Sequence, residues 1–440
     1  MVTFVLLSPT YGMHLYTADL ARTAAREGKR IAACGGDEEG RPAGVRVVTT
    51  TTAPRGMYGD GVEVVTPVTT HGTGFAAEGM NLAAYRHLQS SIFLLPSSIF
   101  HFTGVHLWNA GLVHALRRRG VRVVHTLHDL APHSGVRHGG LIRVWNRLVI
   151  GSGAEILVHG KCWREQLIRE GVDARRVVWA PLLHGFTADG RLTSEDVKTE
   201  IVDRRDVIFF GRIEAYKGVE VLVEAWRRTQ PKAALEGDRS FDCAPSGRSA
   251  QDAYRSSAQD ALAPSTAPLR GSAQDAYASY DQDAYRSSAQ DVYGGWRLVL
   301  AGKVGKGVAL GELPEGVEVR DRVIGDEEAL ALFGGAALLV LPYRDATQSA
   351  LIGAAARLGV PSLATRTGAL PEYVVEGETG WVVEPGDPQA LAEGLREALG
   401  DRERLARFGT AARSWYDAAK VEERRILSQL YSPARLQTSI

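Results

Sequence analysis

Short apolar runs alternate with segments of helical hydrophobic spacing along most of the chain. Each run has the length of one buried strand, and the segments between runs carry apolar residues about every three or four positions. This alternation predicts βαβ units around parallel sheets, an α/β fold. The predicted strands are Val2–Leu7, Arg30–Cys34, Val62–Val65, Ile99–Phe102, Val121–Thr126, Ile156–Val158 and Val177–Ala180 in the first half, and Val207–Phe210, Arg297–Ala301, Val317–Arg320, Ala337–Leu341, Pro361–Ala364 and Gly380–Val383 in the second.

A turn-rich segment, Phe186–Asp196, separates the two groups of strands. A chain of 440 residues exceeds what one hydrophobic core usually organises. The sequence therefore predicts two doubly wound, Rossmann-like domains, residues 1–190 and residues 191–412. Residues 413–440 follow as a C-terminal unit, in which Arg413–Tyr431 has the apolar spacing of an amphipathic helix.

Residues 231–295 lack this alternation of apolar runs and helical segments. The segment is rich in Ser, Ala, Gln, Asp and Tyr, and the decapeptide QDAYRSSAQD occurs twice, at Gln251–Asp260 and at Gln282–Asp291. Its few apolar residues cannot offset the entropy of ordering it. We therefore expect a disordered, low-complexity insertion inside the second domain, with a tyrosine-bearing interaction tether as the alternative.

The composition is that of a globular protein, since 45% of residues are hydrophobic and 23% are charged. Basic and acidic side chains are equal at 51 each, but residues 1–190 carry an excess of basic ones, centred on Leu116–Arg122 (LRRRGVR). This pattern is typical of solvated surface, or of a face attracted to an anionic membrane or a phosphorylated acceptor. It indicates no nucleic-acid groove and no obligatory protein partner.

The three cysteines have no metal-like spacing, and the N-terminus lacks the features of a signal peptide. We therefore expect a cytoplasmic protein, peripheral at the inner face of the membrane if it contacts lipid at all.

A polar stretch, Pro342–Ala350 (PYRDATQSA), directly follows the predicted strand Ala337–Leu341. Thr347 or Ser349 can cap a helix that ends near Gly359. The free N–H groups of such a helix would point into the crevice at the carboxyl edge of the sheet, where α/β sheets bind ligands and where phosphate is favoured. A capped helix with no ligand is the structural alternative.

A second candidate follows the strand Val207–Phe210. Gly211, Arg212 and Lys217 precede an amphipathic helix, so that two cations lie at the carboxyl end of another strand. A guanidinium and an ammonium in that position can neutralise a diphosphate as it leaves. An arginine and a lysine alone would be typical of solvated surface. Because the candidate phosphate site after Ala337–Leu341 lies in the same half of the chain, a binding role is favoured here.

These stretches resemble the retaining glycosyltransferases of family 4, whose GT-B fold places two Rossmann-like domains on either side of a cleft. The similar motifs are SPTYGMHLYTADLAR, FHFTGVH and VVHTLHDLAP in the first half, and FFGRIEAYKG, LVLAGK, VLPYRDATQSALIGAAARLGVPSLATRTGALPE and GETGWVVEPGDPQALAEGL in the second. The resemblance covers nearly the whole chain except the insertion. It implies a C-terminal helix that crosses back to brace the first domain, and a helix packed only on its own domain is the alternative.

The resemblance implies transfer of a hexosyl unit from a nucleoside diphosphate sugar to a hydroxyl acceptor, without a metal ion or cofactor. Arg212 and Lys217 would hold the diphosphate, which would itself take the acceptor's proton, and His128 would lie beside the donor sugar. The implied residues are, for catalysis, His128, Arg212 and Lys217, and, for donor binding, Gly12, Met13, Arg212, Lys217, Asp345, Thr347, Gln348 and Ser349.

The sequence departs from the family pattern at two positions. The family usually has two acidic residues eight positions apart, where this chain has Ala346 and Ala354. Asp345 lies one position early and can replace the first acid only with a backbone shift. Two alternatives therefore stay open: a nucleotide-sugar-binding protein without transfer activity, and a GT-B sugar-nucleotide epimerase, which would need acid and base carboxylates in the cleft.

All 12 histidines lie in the first half of the chain, which raises a metal site as a further alternative. Ligand partners at suitable spacing are missing, and neighbouring histidines would point to different faces of an extended segment. We therefore expect no metal, and we expect His101 and His106 to line the acceptor cleft. The candidate ligands are His101, His106, His125 and His128, with Asp129 as the nearby carboxylate.

Overall fold

The computed structural model describes residues 1–33, 44–51, 56–70, 72, 81–130, 139–184, 204–229 and 295–432. The predicted insertion, apart from Gly295, lies outside the described residues, and so does the predicted domain boundary near residue 190. The limits given above for the domains therefore stay predictions.

The first half of the chain builds a parallel sheet of seven strands in the order β3-β2-β1-β4-β5-β6-β7. The strands are β1 Val2–Leu6, β2 Val45–Thr49, β3 Val62–Val65, β4 Ile99–Phe102, β5 Arg122–Thr126, β6 Glu155–Val158 and β7 Val177–Trp179. Its helices are α1 Tyr11–Ala33, α2 Leu82–Phe93, α3 Asn109–Arg118, α4 Gly139–Gly151 and α5 Lys161–Arg169, with a 3₁₀ turn at Ala174–Arg176.

One strand prediction in this half is wrong. Residues 30–33 of the predicted strand Arg30–Cys34 continue α1, and Cys34 lies outside the described residues. The run is short and alanine-rich, and alanine is the strongest helix former. The second strand is instead β2, Val45–Thr49, whose valines favour a pleated, buried environment and whose five residues are all buried.

The second half builds a parallel sheet of six strands in the order β10-β9-β8-β11-β12-β13. The strands are β8 Asp206–Phe210, β9 Arg297–Ala301, β10 Val317–Arg320, β11 Ala336–Leu341, β12 Ser362–Thr365 and β13 Gly380–Val383. Its helices are α6 Val219–Thr229, α7 Asp326–Gly335, α8 Ala350–Arg357, α9 Pro388–Leu399 and α10 Arg402–Tyr431, with 3₁₀ turns at Ala215–Lys217 and Leu370–Tyr373.

Both sheets are doubly wound, which confirms the predicted fold class. The strand order reverses between β1 and β4 in the first sheet and between β8 and β11 in the second. Sheets of this kind bind ligands outside the carboxyl ends of the strands at the reversal. The loops after β8 and β11 lie at that position in the second sheet.

The C-terminal helix α10 contacts both halves. The Arg413 guanidinium donates to the Arg357 carbonyl at the end of α8, at 2.6 Å. Near the other end, the Tyr431 hydroxyl lies 2.7 Å from His101 Nδ1, and Arg122 on β5 donates to the Leu430 carbonyl at 2.6 Å. One helix therefore ties the two sheets together.

Candidate functional site

The loop after β11 ends in the N-terminal cap of α8. Ser349 has extended backbone angles, and its hydroxyl accepts a hydrogen bond from the Leu351 amide at 3.4 Å. This confirms one of the two candidate caps, and the helix ends as predicted before Gly359, which takes the left-handed φ of 68°. A helix start carries up to four amides without intrahelical partners, and the cap uses one. The start of α8 is therefore suited to an anion.

Backbone contacts join this loop to the loop after β8. The Tyr216 carbonyl accepts hydrogen bonds from the Arg344 and Asp345 amides at 2.8 and 3.3 Å. Gly218 has a left-handed φ of 64°, and a Cβ there would lie 2.2 Å from the Pro342 carbonyl oxygen. Only glycine permits that approach, so the two loops form one surface.

Lys217 lies within that surface, with its ammonium 5.6 Å from the ring centre of Tyr343 and 5.9 Å from that of Phe209. Burial lowers the pKa of Lys217 to about 8; the Glu214 carboxylate opposes this shift and the Arg212 charge adds to it. Among the described residues, the Lys217 ammonium has no ion-pair partner. A half-buried cation of this kind gains free energy when an anion arrives.

Tyr343 lies between this lysine and the helix start, since the Ser349 side chain acts on the pKa of the Tyr343 hydroxyl and partly opposes the rise caused by burial. Arg212 lies nearer solvent, with its side chain 72% exposed and its Nε 3.4 Å from Glu214. An exposed ion pair of this kind is weak, so the guanidinium can turn to a ligand. The structure thus brings together Arg212, Lys217 and Ser349, three of the residues that the sequence singled out.

Across the gap between the two sheets, the loops of the first sheet form the other side of the candidate site. His128 lies there, in the loop that follows β5. Its Nε2 donates to the Thr103 carbonyl at 2.9 Å, so the proton of the neutral ring lies on Nε2. Burial lowers the pKa of His128, which keeps the imidazole neutral. Gln348 reaches across from the second sheet and donates through Nε2 to the His128 carbonyl at 2.8 Å.

Gly12 and Met13 form the first turn of α1, at the carboxyl end of β1. A Cβ on Gly12 would meet nothing within 4 Å, and Met13 Cγ lies 3.8 Å from the position of a Cβ on Gly104, next to Thr103. The preceding residue, Tyr11, donates a hydrogen bond across the gap to Asp326 at the start of α7. This helix start therefore borders the same gap as His128, whose ring donates to Thr103.

The two positions where the family pattern has acids are filled by buried methyl groups. Ala346 is 4% exposed and Ala354 is 3% exposed. Gly368, with φ 51°, packs so closely that a Cβ there would lie 1.8 Å from the Ala346 carbonyl oxygen. Asp345 lies within the joined loops, close to Tyr216. Burial is the main cause that raises the pKa of Tyr216 to about 12, and the charges of Asp129, Glu214 and Asp345 add to it.

Sequence reasoning missed a set of contacts between the two sheets. The Glu372 carboxylate accepts hydrogen bonds from the Lys161 and Cys162 amides at 2.6 and 2.8 Å, and so caps α5 from the other half of the chain. Next to it, the Tyr373 hydroxyl donates to the His159 carbonyl at 2.5 Å. One local feature of the sequence indicates that α5 needs a cap from elsewhere: the helix begins after Gly160, which has no side chain to cap it.

A further missed residue, Trp163 on α5, donates through its indole Nε1 to the Thr347 carbonyl at 2.9 Å, and the same carbonyl accepts from the Ala369 amide at 3.0 Å. Thr347 is only 3% exposed. The backbone of the loop between β11 and α8 is therefore fixed from both halves.

The candidate metal ligands serve in hydrogen bonds and ring contacts. His101 bonds to Tyr431 and Thr126, and the His125 ring stacks against Phe102 with centres 6.0 Å apart. Within the described residues, no three His, Cys, Asp or Glu side chains are grouped so that they could hold a metal ion. His125 is fully buried, and so are His101 and His106, so the expectation that the latter two line an acceptor cleft is wrong.

Two Rossmann-like domains, each built on a doubly wound parallel sheet, are the architecture of the GT-B class. The chain matches the family described as "Glycosyl transferases group 1" over residues 282–401, and that described as "Glycosyl transferase 4-like domain" over residues 11–182. These two matches take in both halves of the chain. The chain belongs to the group 1, family-4-like glycosyltransferases, which confirms the resemblance seen in the sequence.

Curated relatives match part of the chain, and solved structures share its fold. D-inositol 3-phosphate glycosyltransferase of Streptomyces avermitilis is 34% identical over 126 residues, which span 26% of this chain and 26% of that protein. The fold is similar to sucrose-phosphate synthase from Thermosynechococcus elongatus, with a TM-score of 0.62, 16% identity and full coverage of both chains. It is also similar to HepE from Anabaena, solved with UDP and glucose, with a TM-score of 0.61, 14% identity and coverage of 98% and 99%.

Proposed function

We propose that this chain is a retaining glycosyltransferase that moves a hexosyl unit from a nucleoside diphosphate sugar to a hydroxyl acceptor without a metal ion. One observation carries the proposal: the Lys217 ammonium, the Arg212 guanidinium and the capped start of α8 lie on one wall of a gap, and His128 lies on the other.

The cradle suits a leaving diphosphate because it supplies positive charge where negative charge develops. Lys217 is held in place by Tyr343 and Phe209, and the amides of α8 are fixed by the fold, so that little reorganisation is needed during the reaction. Loss of one such preorganised group typically lowers kcat about 10²- to 10³-fold. Two cations and a helix start can offset this charge, which is the task a metal ion has in other transferases.

Gln348 offers a contact to the sugar. Its Nε2 donates a hydrogen bond to the His128 carbonyl. Its Oε1 is buried and has no hydrogen-bond partner within the described residues. Buried polar atoms are rarely left unsatisfied. A hydroxyl group of the donor sugar, donating to Oε1, would satisfy this one.

His128 is suited to orientation rather than to proton transfer. Its Nε2 proton is engaged by the Thr103 carbonyl, and burial disfavours the charged imidazolium. In the proposed reaction the acceptor hydroxyl attacks from the face that the nucleotide leaves, and its proton passes to the departing phosphate. The protein positions the two substrates and stabilises the charge.

Ala346 and Ala354 favour a second candidate, a nucleotide-sugar-binding protein of the same fold that does not transfer. An assay of donor turnover separates the two: UDP-, GDP- and ADP-sugars are incubated with hydroxyl acceptors or with water alone, and the product anomer is read by early-time NMR. We expect turnover of at least one donor with retention, insensitive to EDTA, and slowed about 10²- to 10³-fold in Arg212→Ala and Lys217→Ala. Binding of a donor without turnover would establish the second candidate, and inversion would exclude the proposed reaction.

A further inference from the structure

Helix α4 presents an apolar stripe to solvent. Leu141 is 65% exposed, Val144 is 53% exposed and Leu148 is 51% exposed. These positions are three and four residues apart, so they lie on one face of the helix. Single exposed apolar residues are ordinary on a protein surface, but a row of three large ones on one helix is not.

The opposite face of α4 is already used by the fold, so the stripe is not an internal surface left open. Val149 is fully buried, and Asn146 Nδ2 donates to the Asp129 and Leu130 carbonyls at 2.8 and 3.1 Å. The helix is thus apolar on two faces, and the inner one also fixes the loop that carries His128.

The charges around the stripe have one sign. Arg143 and Arg147 lie beside it on α4, both are exposed, and α4 contains no acidic residue. Neither arginine has an ion-pair partner among the described residues. Long basic side chains at the flank of an apolar face are typical of helices that lie in a membrane interface.

Helix α3 extends the basic surface. His114 on α3 lies 3.0 Å from the Leu148 carbonyl, which sets the two helices side by side, and exposed Arg118 and Arg119 follow at the end of α3. The structure also corrects the predicted focus Leu116–Arg122, because Leu116 is buried and Arg122 forms an ion pair with Glu155. We call the resulting surface the docking face: Arg118, Arg119, Leu141, Arg143, Val144, Arg147 and Leu148.

We propose that the docking face binds the surface of an anionic lipid bilayer. Charge decides between the occupants: in a two-fold dimer through this face, arginines would oppose arginines, which costs free energy. An anionic bilayer instead meets the guanidinium groups with phosphates and the leucines with acyl chains. None of the helices in the described part of the chain combines the length and apolarity needed to cross a bilayer, so the contact is peripheral.

Docking by this face would bring the His128 loop close to the lipid surface, since Asn146 ties that loop to α4. An acceptor hydroxyl carried by a lipid could then reach the gap. This last step rests on the proposed function, whereas the binding of the docking face to lipid does not.

Vesicle flotation of the full chain tests the proposal. Vesicles of phosphatidylcholine alone are compared with equimolar phosphatidylcholine and phosphatidylglycerol, at low and high salt. We expect flotation with the anionic vesicles only, weakened by salt. Arg143→Gln with Arg147→Gln should weaken binding about 25-fold, the product of about fivefold for each guanidinium. Leu141→Ser, Val144→Ser and Leu148→Ser together should reduce binding to the level seen with neutral vesicles.

Matched controls are Val323→Ser, Val421→Ser and Arg407→Gln, which alter exposed residues away from the docking face. They should float like the wild type. Equal flotation of the docking-face variants and the wild type would overturn the proposal, as would a change in oligomeric state by sedimentation in those variants. Donor binding in solution is measured in parallel: its absence from the wild type would refute the proposed function and leave the flotation result standing.

Discussion

The Gln348 side-chain amide donates a hydrogen bond of 2.8 Å to the His128 backbone carbonyl, although the two residues belong to different sheets. Gln348 lies in the loop that leads to α8, and His128 lies in the loop after β5. The bond therefore joins the proposed phosphate cradle to the opposite wall of the gap. A ligand that binds between the two loops would therefore contact both halves of the chain.

The interdomain cap of α5 by Glu372 should contribute to stability. Glu372→Ala removes the acceptor for the Lys161 and Cys162 amides, and loss of a helix cap typically costs about 1 kcal/mol. Urea unfolding should show this decrease. Glu378→Ala, an exposed glutamate close by in the sequence, is the control and should unfold like the wild type. If the two variants are equally stable, Glu372 has no capping role.

Nucleotide binding should depend on the protonation of Lys217. Its pKa is lowered to about 8, so the ammonium is charged below that pH and loses its proton above it. We expect the Kd for a nucleoside diphosphate, measured by calorimetry, to rise up to about tenfold for each pH unit above 8.

Lys217→Arg supplies the comparison. A guanidinium stays charged throughout this range, so the variant's affinity should be flat with pH even if it is weaker overall. A wild-type affinity that does not change well above pH 8 would show that Lys217 does not meet the phosphates.

A buried charge cluster between α1 and α10 should be a strong stabiliser only while it is complete. The Lys420 ammonium lies 2.6 Å from Asp19 and 2.5 Å from Glu423. It helps to lower the pKa of Asp19, against burial, whereas burial raises the pKa of Glu423 to about 7. Removing the cation would leave two carboxylates facing each other in the interior.

Lys420→Met should therefore reduce the free energy of unfolding by about 3–5 kcal/mol. The measurement is chemical denaturation at neutral pH, and Arg424→Met, an exposed neighbour on the same helix, is the control. The triple variant Asp19→Asn, Lys420→Met, Glu423→Gln should recover much of the loss. A loss below about 1 kcal/mol in Lys420→Met, the range of exposed ion pairs, would mean that the cluster is hydrated.

The sequence predicted the two sheets well because a strand buried on both sides is a continuous apolar run, as at Ala336–Leu341. It misplaced one strand, since a short alanine-rich run such as RIAAC does not distinguish a helix from a strand. It also narrowed the cap of α8 to Thr347 or Ser349, because such residues and Gly359 are local signals at the two ends of one helix.

The contacts between the halves could not be predicted in the same way. Glu372 and Lys161 are 211 positions apart, and only the packing of the two sheets brings them together. The extent of the basic surface at the end of α3 was mispredicted for a related reason: in LRRRGVR the charges stand out, but whether Arg122 is exposed depends on Glu155, which lies 33 positions away.

The most direct test of the central claim is calorimetric titration of nucleoside diphosphates and of the matching nucleosides into the wild type, Arg212→Ala and Lys217→Ala. If the guanidinium, the ammonium and the start of α8 converge on a diphosphate, each variant should bind the wild type's preferred diphosphate at least about tenfold more weakly, while its affinity for the nucleoside is unchanged. Equal diphosphate affinities in all three proteins would contradict the claim.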